Sequence, residues 1–390
     1  QGATVAHMDD RADEATDLEL IVESCVRAAA TLRLTAARSP WPEPLPAMMS
    51  LADIPASARL PDVALFGLAD EPHRQRTATA AWAPLSGNLL LYGLPGSGTS
   101  TALATIAVSL SAASSPDQTH IHVLDFDDQN LHPLRGLPHV GSVVSASDRE
   151  RQLRLLLRLA AELQARRSAS VDGDSGMLQY PTIVTMLDNY GGFADSFGEP
   201  GDTTVHNLLA RLVADGPGVG MMTILTAKQP GDIPSRIAAL VSQRLVFRLA
   251  DRYDYTGLGV PPVEPPEFAG RAFESGSGRE VQVALPHREG LAAAVAAHTS
   301  DSPAIAPWTI DVLPREVSIA ELAAAGRVTH DAWFLPLGIG DSSLVPAGLV
   351  LRDGDHALIT GPPRSGKTTA LVTLAEVARA AHPDLHIAAL

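Results

Sequence analysis

The 390-residue chain is 45% hydrophobic and 19% charged, with a net charge of −15, a balance that excludes a disordered chain and provides for two or three domains. It has no run of about 18 apolar residues that would span a membrane, and its single cysteine, Cys25, cannot form an intrachain disulfide, so a cytosolic setting is the default. The acidic balance also argues against a protein that coats nucleic acid.

Residues 1–7 read as a tag remnant and are set aside. Residues 8–47 read as an N-terminal helix and linker. Thr16-Asp-Leu-Glu19 is a capping box, and Leu18, Ile21, Val22, Cys25, Ala29 and Leu32 share one face of the helix it starts. That pattern predicts a face packed in a core, Cys25 included. Further on, the order strand 89–92, helix 99–113, strand 120–126 is that of a parallel sheet. Residues 147–167 form a helix with Leu153, Leu156, Leu157 and Leu163 inward and arginines on a solvated face, and 168–179 read as a mobile surface loop. Strands 182–187 and 222–226 complete four central strands.

The chain repeats itself. Residues 88–105 align without a gap to residues 356–373, an offset of 268 that recurs between Leu45-Pro46 and Leu313-Pro314. A repeat of that size is a whole domain. The expected organisation is a complete unit over 48–288, a linker over 289–315 and the truncated start of a second unit over 316–390. The fold class is therefore α/β, with a mostly parallel central sheet.

Both copies carry a phosphate loop. Gly361, Gly366, Lys367 and Thr368 fit G-x-x-x-x-G-K-[ST] in full, after an apolar strand and at the start of a helix. Backbone amides there cradle phosphate oxygens, Lys367 brings charge to the β and γ phosphates, and the Thr368 hydroxyl binds Mg2+. Arg364, Ser365 and Thr369 belong to the same contact set. The first copy keeps Gly93, Pro95, Gly96, Ser97, Gly98, Ser100 and Thr101, but Thr99 stands where the lysine would be. A short neutral hydroxyl cannot offset charge on a terminal phosphate, so binding is expected to outlast fast hydrolysis. The strand ending in Asp188 supplies a Mg2+ acid, while the next residue, Asn189, cannot act as a base. Lys228, at the end of the following strand, is placed to replace part of the missing charge, or is simply a surface residue. The catalytic candidates are thus Asp188 and Lys367, and the ligands are ATP and Mg2+, with Ser100, Asp188 and Thr368 on the metal. No histidine spacing points to another metal site.

These residues resemble the FtsK/SpoIIIE family of ring-forming ATPases, and within it the coupling ATPases of type VII secretion. The resemblance rests on the tandem units, Trp41-Pro-Glu-Pro-Leu-Pro46, Phe66-Gly-Leu-Ala-Asp-Glu-Pro72, Val123-Leu-Asp-Phe126 and Leu137-Pro-His-Val-Gly141. It extends to Gly216-Pro-Gly-Val-Gly220, Gln243-Arg244-Leu245, Arg248-Leu-Ala-Asp251, Phe268-Ala-Gly-Arg271 and Val281-Gln-Val-Ala284. It implies a RecA-like P-loop core inside a cytoplasmic, membrane-anchored machine. It further implies a degenerate, nucleotide-holding unit that regulates or docks substrate, with a WXG-type helical-hairpin protein and other domains of the same ATPase as partners. Arg236 and Arg244 resemble family interface arginines, with structural salt bridging as the alternative. The rival readings are an FtsK-type DNA translocase and a spacer that no longer binds nucleotide.

Overall fold

Continuous apolar runs, as parallel strands covered on both faces require, build the sheet of this chain. The computed structural model describes residues 16–34, 43–127, 130–171, 180–198, 203–262, 265–298, 305–328, 332–340 and 344–388. They fall into two units, one of residues 1–44 with 71–76 and one of residues 45–70 with 77–390.

In the first unit, helix α1 (Asp17–Thr31) starts at the expected capping box, with Thr16 and Glu19 bonding each other's backbone. Its apolar face is not in a core: no α1 residue is buried, Leu18 is 70% exposed, and Ile21, Val22 and Leu32 are exposed as well. Cys25 is exposed too, which corrects the expectation of packing. Helical periodicity marks a face that can be covered, but not whether the chain itself covers it. At the hairpin turn of the same unit, Arg76 Nε pairs with Glu71 at 2.7 Å.

The second unit begins with β1 (Ala64–Glu71) and β2 (Arg76–Trp82), whose connecting turn lies in the first unit, and continues with β3 (Leu89–Tyr92), α2 (Thr99–Ala113), β4 (Thr119–Asp125) and β5 (Val140–Ser145). Next come α3 (Arg149–Val171), β6 (Thr182–Asp188), α4 (Tyr190–Ser196), α5 (Thr204–Asp215) and β7 (Met221–Ala227). Helix α6 (Ser235–Ala238), β8 (Gln243–Val246), α7 (Arg252–Gly257), β9 (Arg271–Glu274), β10 (Glu280–Val283) and α8 (Leu291–Ala296) follow. Among the described residues the sheet has ten strands in the order β2-β1-β10-β9-β8-β3-β7-β6-β4-β5. From β8 to β5 the pairing is parallel, and β9, β10 and β1 attach antiparallel. The four expected central strands are β3, β4, β6 and β7. Strands β5 and β8, which resemblance marked only as motifs, extend the parallel part on either side.

Helix α2 spans the expected residues and is buried nearly all round, through Ala102, Leu103, Ile106, Ala107 and Leu110. Helix α3 differs in register: Leu155, Leu156, Leu159 and Leu163 are buried while Leu153 and Leu157 are exposed. Nor is every arginine of α3 solvated, because Arg166 is buried, pairing with Glu162 and donating to the carbonyl of Val219. The helix also runs through Val171, into the segment read as a loop; residues 172–179 lie outside the described residues.

The stretch expected to be a linker is docked. Val295 of α8 seats on Gly136, where any Cβ would collide with it. Trp308 stacks on His122 with ring centroids 3.9 Å apart, and the Arg158 guanidinium sits over the indole at 5.4 Å. The N–H of Ile305 donates to Asp117 and that of Ile310 to Ser142. Burial pulls His122 down to about 3, so at neutral pH it presents an uncharged ring to the tryptophan.

The 268-residue offset carries into the elements. Helix α9 (Ile319–Ala323) begins at a Ser318–Glu321 capping box that matches the Ser50–Asp53 box, and α10 (Lys367–Ala381) coincides with α2. Between them β11 (Arg327–Val328), β12 (Trp333–Ile339) and β13 (Pro346–Leu351) form an antiparallel sheet, with β12 and β13 in the places of β1 and β2. Leu322, Leu335, Val377 and Ala378 are its core. The strand expected before the second phosphate loop does not form: residues 356–360 are unpaired and Leu358 is 87% exposed. Its counterpart β3 is paired by β7 and β8, and among the described residues no strand pairs 356–360 in that way.

Arg271 ties the entry of the chain to the sheet. Buried itself, it donates to Gln282 at 2.9 Å, Glu280 at 2.5 Å, and the carbonyls of Leu45 and Pro46 at 3.0 and 3.1 Å. Arg271→Ala is expected to cost about 3 kcal/mol in urea unfolding, and Arg271→Lys to recover little, because one ammonium cannot span the four acceptors.

Candidate functional site

Strand β3 delivers the chain between β7 and β8, and the turn that follows must expose its amides without room for side chains. The Gly93 N–H donates to Ala227 at 2.9 Å and the Leu94 N–H to Arg248 at 2.9 Å. A Cβ on Gly93 would strike Ser97 Oγ and come within 2.7 Å of Phe247 Cβ. Gly98, at φ 111°, lies so close to Gly270 that an added Cβ would stand 2.8 Å from its nitrogen. The Gly270 N–H in turn clamps the crest of the loop by donating to Ser97 O at 2.8 Å. Helix α2 has no side-chain cap at Gly98, so its first amides remain free for an anion. Pro95 and Gly96 complete the crest, and Thr99, Ser100 and Thr101 open the helix.

The two loops share one backbone. Gly96 has φ 78°, and Arg364, at the same position of the second copy, has φ 64°; Gly98 and Gly366 are both left-handed. Ser365 closes over Gly361 as Ser97 does over Gly93. Lys367 Nζ donates to the carbonyls of Gly361 and Pro362, each at 2.8 Å. Thr368 and Thr369 follow it in the first turn of α10. Among the described residues no acid from a neighbouring strand end reaches this loop, because the segment before it is unpaired.

Asp188, at the end of β6, is buried and in register with Asp125 of β4. Its Oδ1 accepts from Thr226 at 2.5 Å, while Oδ2 is buried without a partner. Burial pushes this carboxyl up to about 6, the Ser100 and Thr226 hydroxyls pull it down, and Asp125 and Asp127 push it up again. The Ser100 hydroxyl lies close enough to favour the charged carboxyl, while Oδ2 itself has no partner within hydrogen-bond geometry. A free carboxylate oxygen beside a hydroxyl is a hard-oxygen pair of the kind Mg2+ accepts, so these residues fit the metal.

Asn189 is committed elsewhere. At φ 64° it caps α4: Oδ1 accepts the Gly192 N–H at 3.2 Å and Nδ2 donates to the Phe126 carbonyl at 3.1 Å. Asn tolerates the left-handed conformation where a longer acid would be strained. Lys228 is exposed, one residue beyond the carbonyl that holds Gly93, and its ammonium makes no ion pair among the described residues. Arg244 is neither free nor salt-bridged; it donates to the carbonyls of Val241 and Ala238. Reading the sequence missed Thr226 and the second acid, Asp125; the signal for both was the register of three adjacent strand ends.

The sequence profile of the FtsK/SpoIIIE family matches residues 56–262. Among curated relatives, the ESX secretion system protein EccC of Geobacillus thermodenitrificans is 23% identical over 95% of this chain and 26% of its own length. EccCb1 of the ESX-1 system of Mycobacterium tuberculosis is 24% identical over 84% of this chain and 60% of its own length. The chain thus spans between a quarter and three fifths of these relatives. Among solved structures, EssC (ATPases 2 and 3) from Geobacillus thermodenitrificans superposes with a TM-score of 0.73 at 23% identity, covering 87% of this chain and 68% of that one. Thermomonospora curvata EccC (ATPases 2 and 3), in complex with a signal sequence peptide, gives 0.59 at 25% identity over 79% of this chain and 59% of that one. The fold is therefore that of these ATPase domains, RecA-like with a P-loop.

The raised Asp188 carboxyl has a pH consequence. In the metal-free protein, its pKa lies above that of an ordinary aspartate, so the native state holds the proton more tightly between pH ~4 and ~6, and this contribution to stability is lost as pH rises through 6. A cation needs the charged form. Mg2+-dependent nucleotide affinity is expected to fall about tenfold from pH 7 to pH 5, and Asp188→Asn to flatten that profile in calorimetric titrations.

Proposed function

Because the chain belongs to the FtsK/SpoIIIE family, we propose that it is a nucleotide-holding regulatory and docking part of a type VII secretion ATPase. In this reading the first site binds ATP and Mg2+ with weak or no hydrolysis. The observation that carries it is a phosphate loop with intact left-handed geometry, beside a buried Asp188 with a free oxygen, in a site where Thr99 replaces lysine and Asn189 is spent on a helix cap. The amides of Gly96 and of Gly98 to Ser100, which are not among those bonded within the loop, hold phosphates, Ser100 and Asp188 hold the metal, and Lys228 supplies what positive charge remains. When bound, the metal neutralises phosphate charge. The protein's contribution in this reading is to bind and orient the nucleotide, since Asn189, at the position next to the metal acid, cannot take a proton from water. At the second loop Lys367 and Thr368 are complete, but among the described residues no strand end sets an acid opposite them, and in this reading Lys367 binds phosphate.

The docking part of the proposal draws on the relative solved with a signal sequence peptide. A mostly apolar cavity of about 210 Å3, whose lining includes Ile54, Val63, Leu65 and Val108 together with Arg59 and His298, is where an apolar side chain from the tail of a secreted helical-hairpin protein would seat. Val108→Trp, which fills the cavity, is expected to abolish binding of such a tail peptide in fluorescence anisotropy while leaving nucleotide binding in place. Unchanged peptide affinity would move the docking site elsewhere.

For the nucleotide, ATP-γ-S with Mg2+ titrated into the Lys367→Ala chain is expected to bind and to raise its melting temperature. Thr99→Lys should tighten that binding about tenfold or more, by restoring a charge-assisted contact. Absence of binding in the Lys367→Ala chain would leave the complete repeat of residues 48–288 a nucleotide-free scaffold. Salt-sensitive duplex DNA binding with DNA-stimulated hydrolysis would favour a DNA translocase instead.

A further inference from the structure

The end of β7 carries a buried hydroxyl that the phosphate-loop chemistry does not use. Thr226 is 3% exposed; its Oγ1 accepts the Asn189 N–H at 2.7 Å and donates to Asp188 Oδ1 at 2.5 Å. The direction of these bonds is forced. An amide can only donate and a carboxylate only accept, so the single Thr226 proton must point at Asp188.

That assignment fixes the carboxylate. The terminal torsion of an aspartate is broad and nearly two-fold, so an unrestrained Asp188 could present either oxygen, or an intermediate orientation, to its surroundings. Thr226 holds Oδ1 and leaves Oδ2 as the oxygen without a protein partner. The backbone around it is tied down as well: the Phe126 N–H donates to Asp188 O at 3.1 Å, and Asn189 Nδ2 returns to Phe126 O. The ends of β4, β6 and β7 are thereby joined in one latch with the carboxylate at its centre. A threonine suits the task because its β-branched side chain is stiff about χ1 and fits the buried strand on which it sits.

We propose that Thr226 is a positioning residue for the metal-binding carboxylate of the first nucleotide site, acting through Asp188 and not by contact with the nucleotide. The proposal rests on the nucleotide reading given above. It predicts an effect confined to the metal-dependent part of binding, because outer partners of metal ligands typically change metal affinity about 10–100-fold.

The test is calorimetric titration of ATP-γ-S, with Mg2+ and with EDTA, into the full chain carrying Lys367→Ala. Thr226→Val is expected to lower the ratio of Mg2+-bound to metal-free affinity about tenfold, and Thr226→Ser, which keeps the hydroxyl, to restore most of it. In an Asp188→Asn background, Thr226→Val should lower the ratio no further. A Thr226→Val protein that keeps the parental ratio overturns the proposal, as does one in which both affinities fall equally. Circular dichroism and melting check each variant, and Thr226→Ala serves if the valine protein does not fold. A parent chain showing no Mg2+-dependent binding defeats the nucleotide reading itself; a parent that binds beside an unaffected valine variant defeats only the role of Thr226.

Discussion

The contact on which the site depends is the close approach of two backbones, Gly98 against Gly270, with Gly93 pressed on Phe247 beside it. A strand buried at the middle of a sheet must become a buried helix within a few residues, while its amides turn toward open space. Side chains at these two glycines would separate β3 from its neighbours or displace the lead-in to β9. Clamping the crest through the Gly270 N–H to Ser97 O makes the loop part of the sheet, not an appendage to it. That explains how the loop keeps its conformation with its lysine gone: the geometry is held by packing and hydrogen bonds that never involved the lysine.

The two copies show the separation of scaffold from charge in opposite ways. The first has the full sheet, the acid and the clamped loop, and lacks the cation at Thr99. The second has Lys367 and lacks the paired strand, and its ammonium folds back on the carbonyls of its own loop. Thr105 and Thr373 make the same comparison within the helix. Thr105 reaches across to the Ala284 carbonyl at 2.6 Å, whereas Thr373 turns to Thr369 in its own helix at 2.9 Å. Identical residues satisfy their hydrogen bonds inside the element where no strand end of the described residues lies within reach.

What was legible in the sequence follows from the range of the determinants. Local rules placed α2, the capping box at Thr16 and the two phosphate loops, because backbone conformation and helix periodicity are encoded within a few residues. The repeat placed α10 at the same offset. Non-local facts were not legible: whether the apolar face of α1 is covered, which turn of α3 faces inward, and that residues 305–310 dock through Trp308 on His122. A strand needs partners, so 356–360 reads as one and does not form one. At the site, Asp188 stood out by type and position, while Thr226 and Asp125 emerge only when β4, β6 and β7 are laid side by side.

Asn189 shows why a degenerate site is not merely an active site with residues exchanged. Read along the chain, it is the position where a base is missing. In the fold it is a left-handed cap whose side chain serves α4 and Phe126 and whose backbone N–H completes the Thr226 bond to Asp188. Exchanging it for glutamate would remove a cap, strain the backbone at φ 64° and disturb the hydroxyl that orients the metal-binding acid. The residue that abolishes base chemistry is therefore also one that keeps the binding geometry intact. In the proposed function a site built this way holds a nucleotide without cleaving it, and the route back to turnover needs the backbone after Asp188 to change along with the side chain.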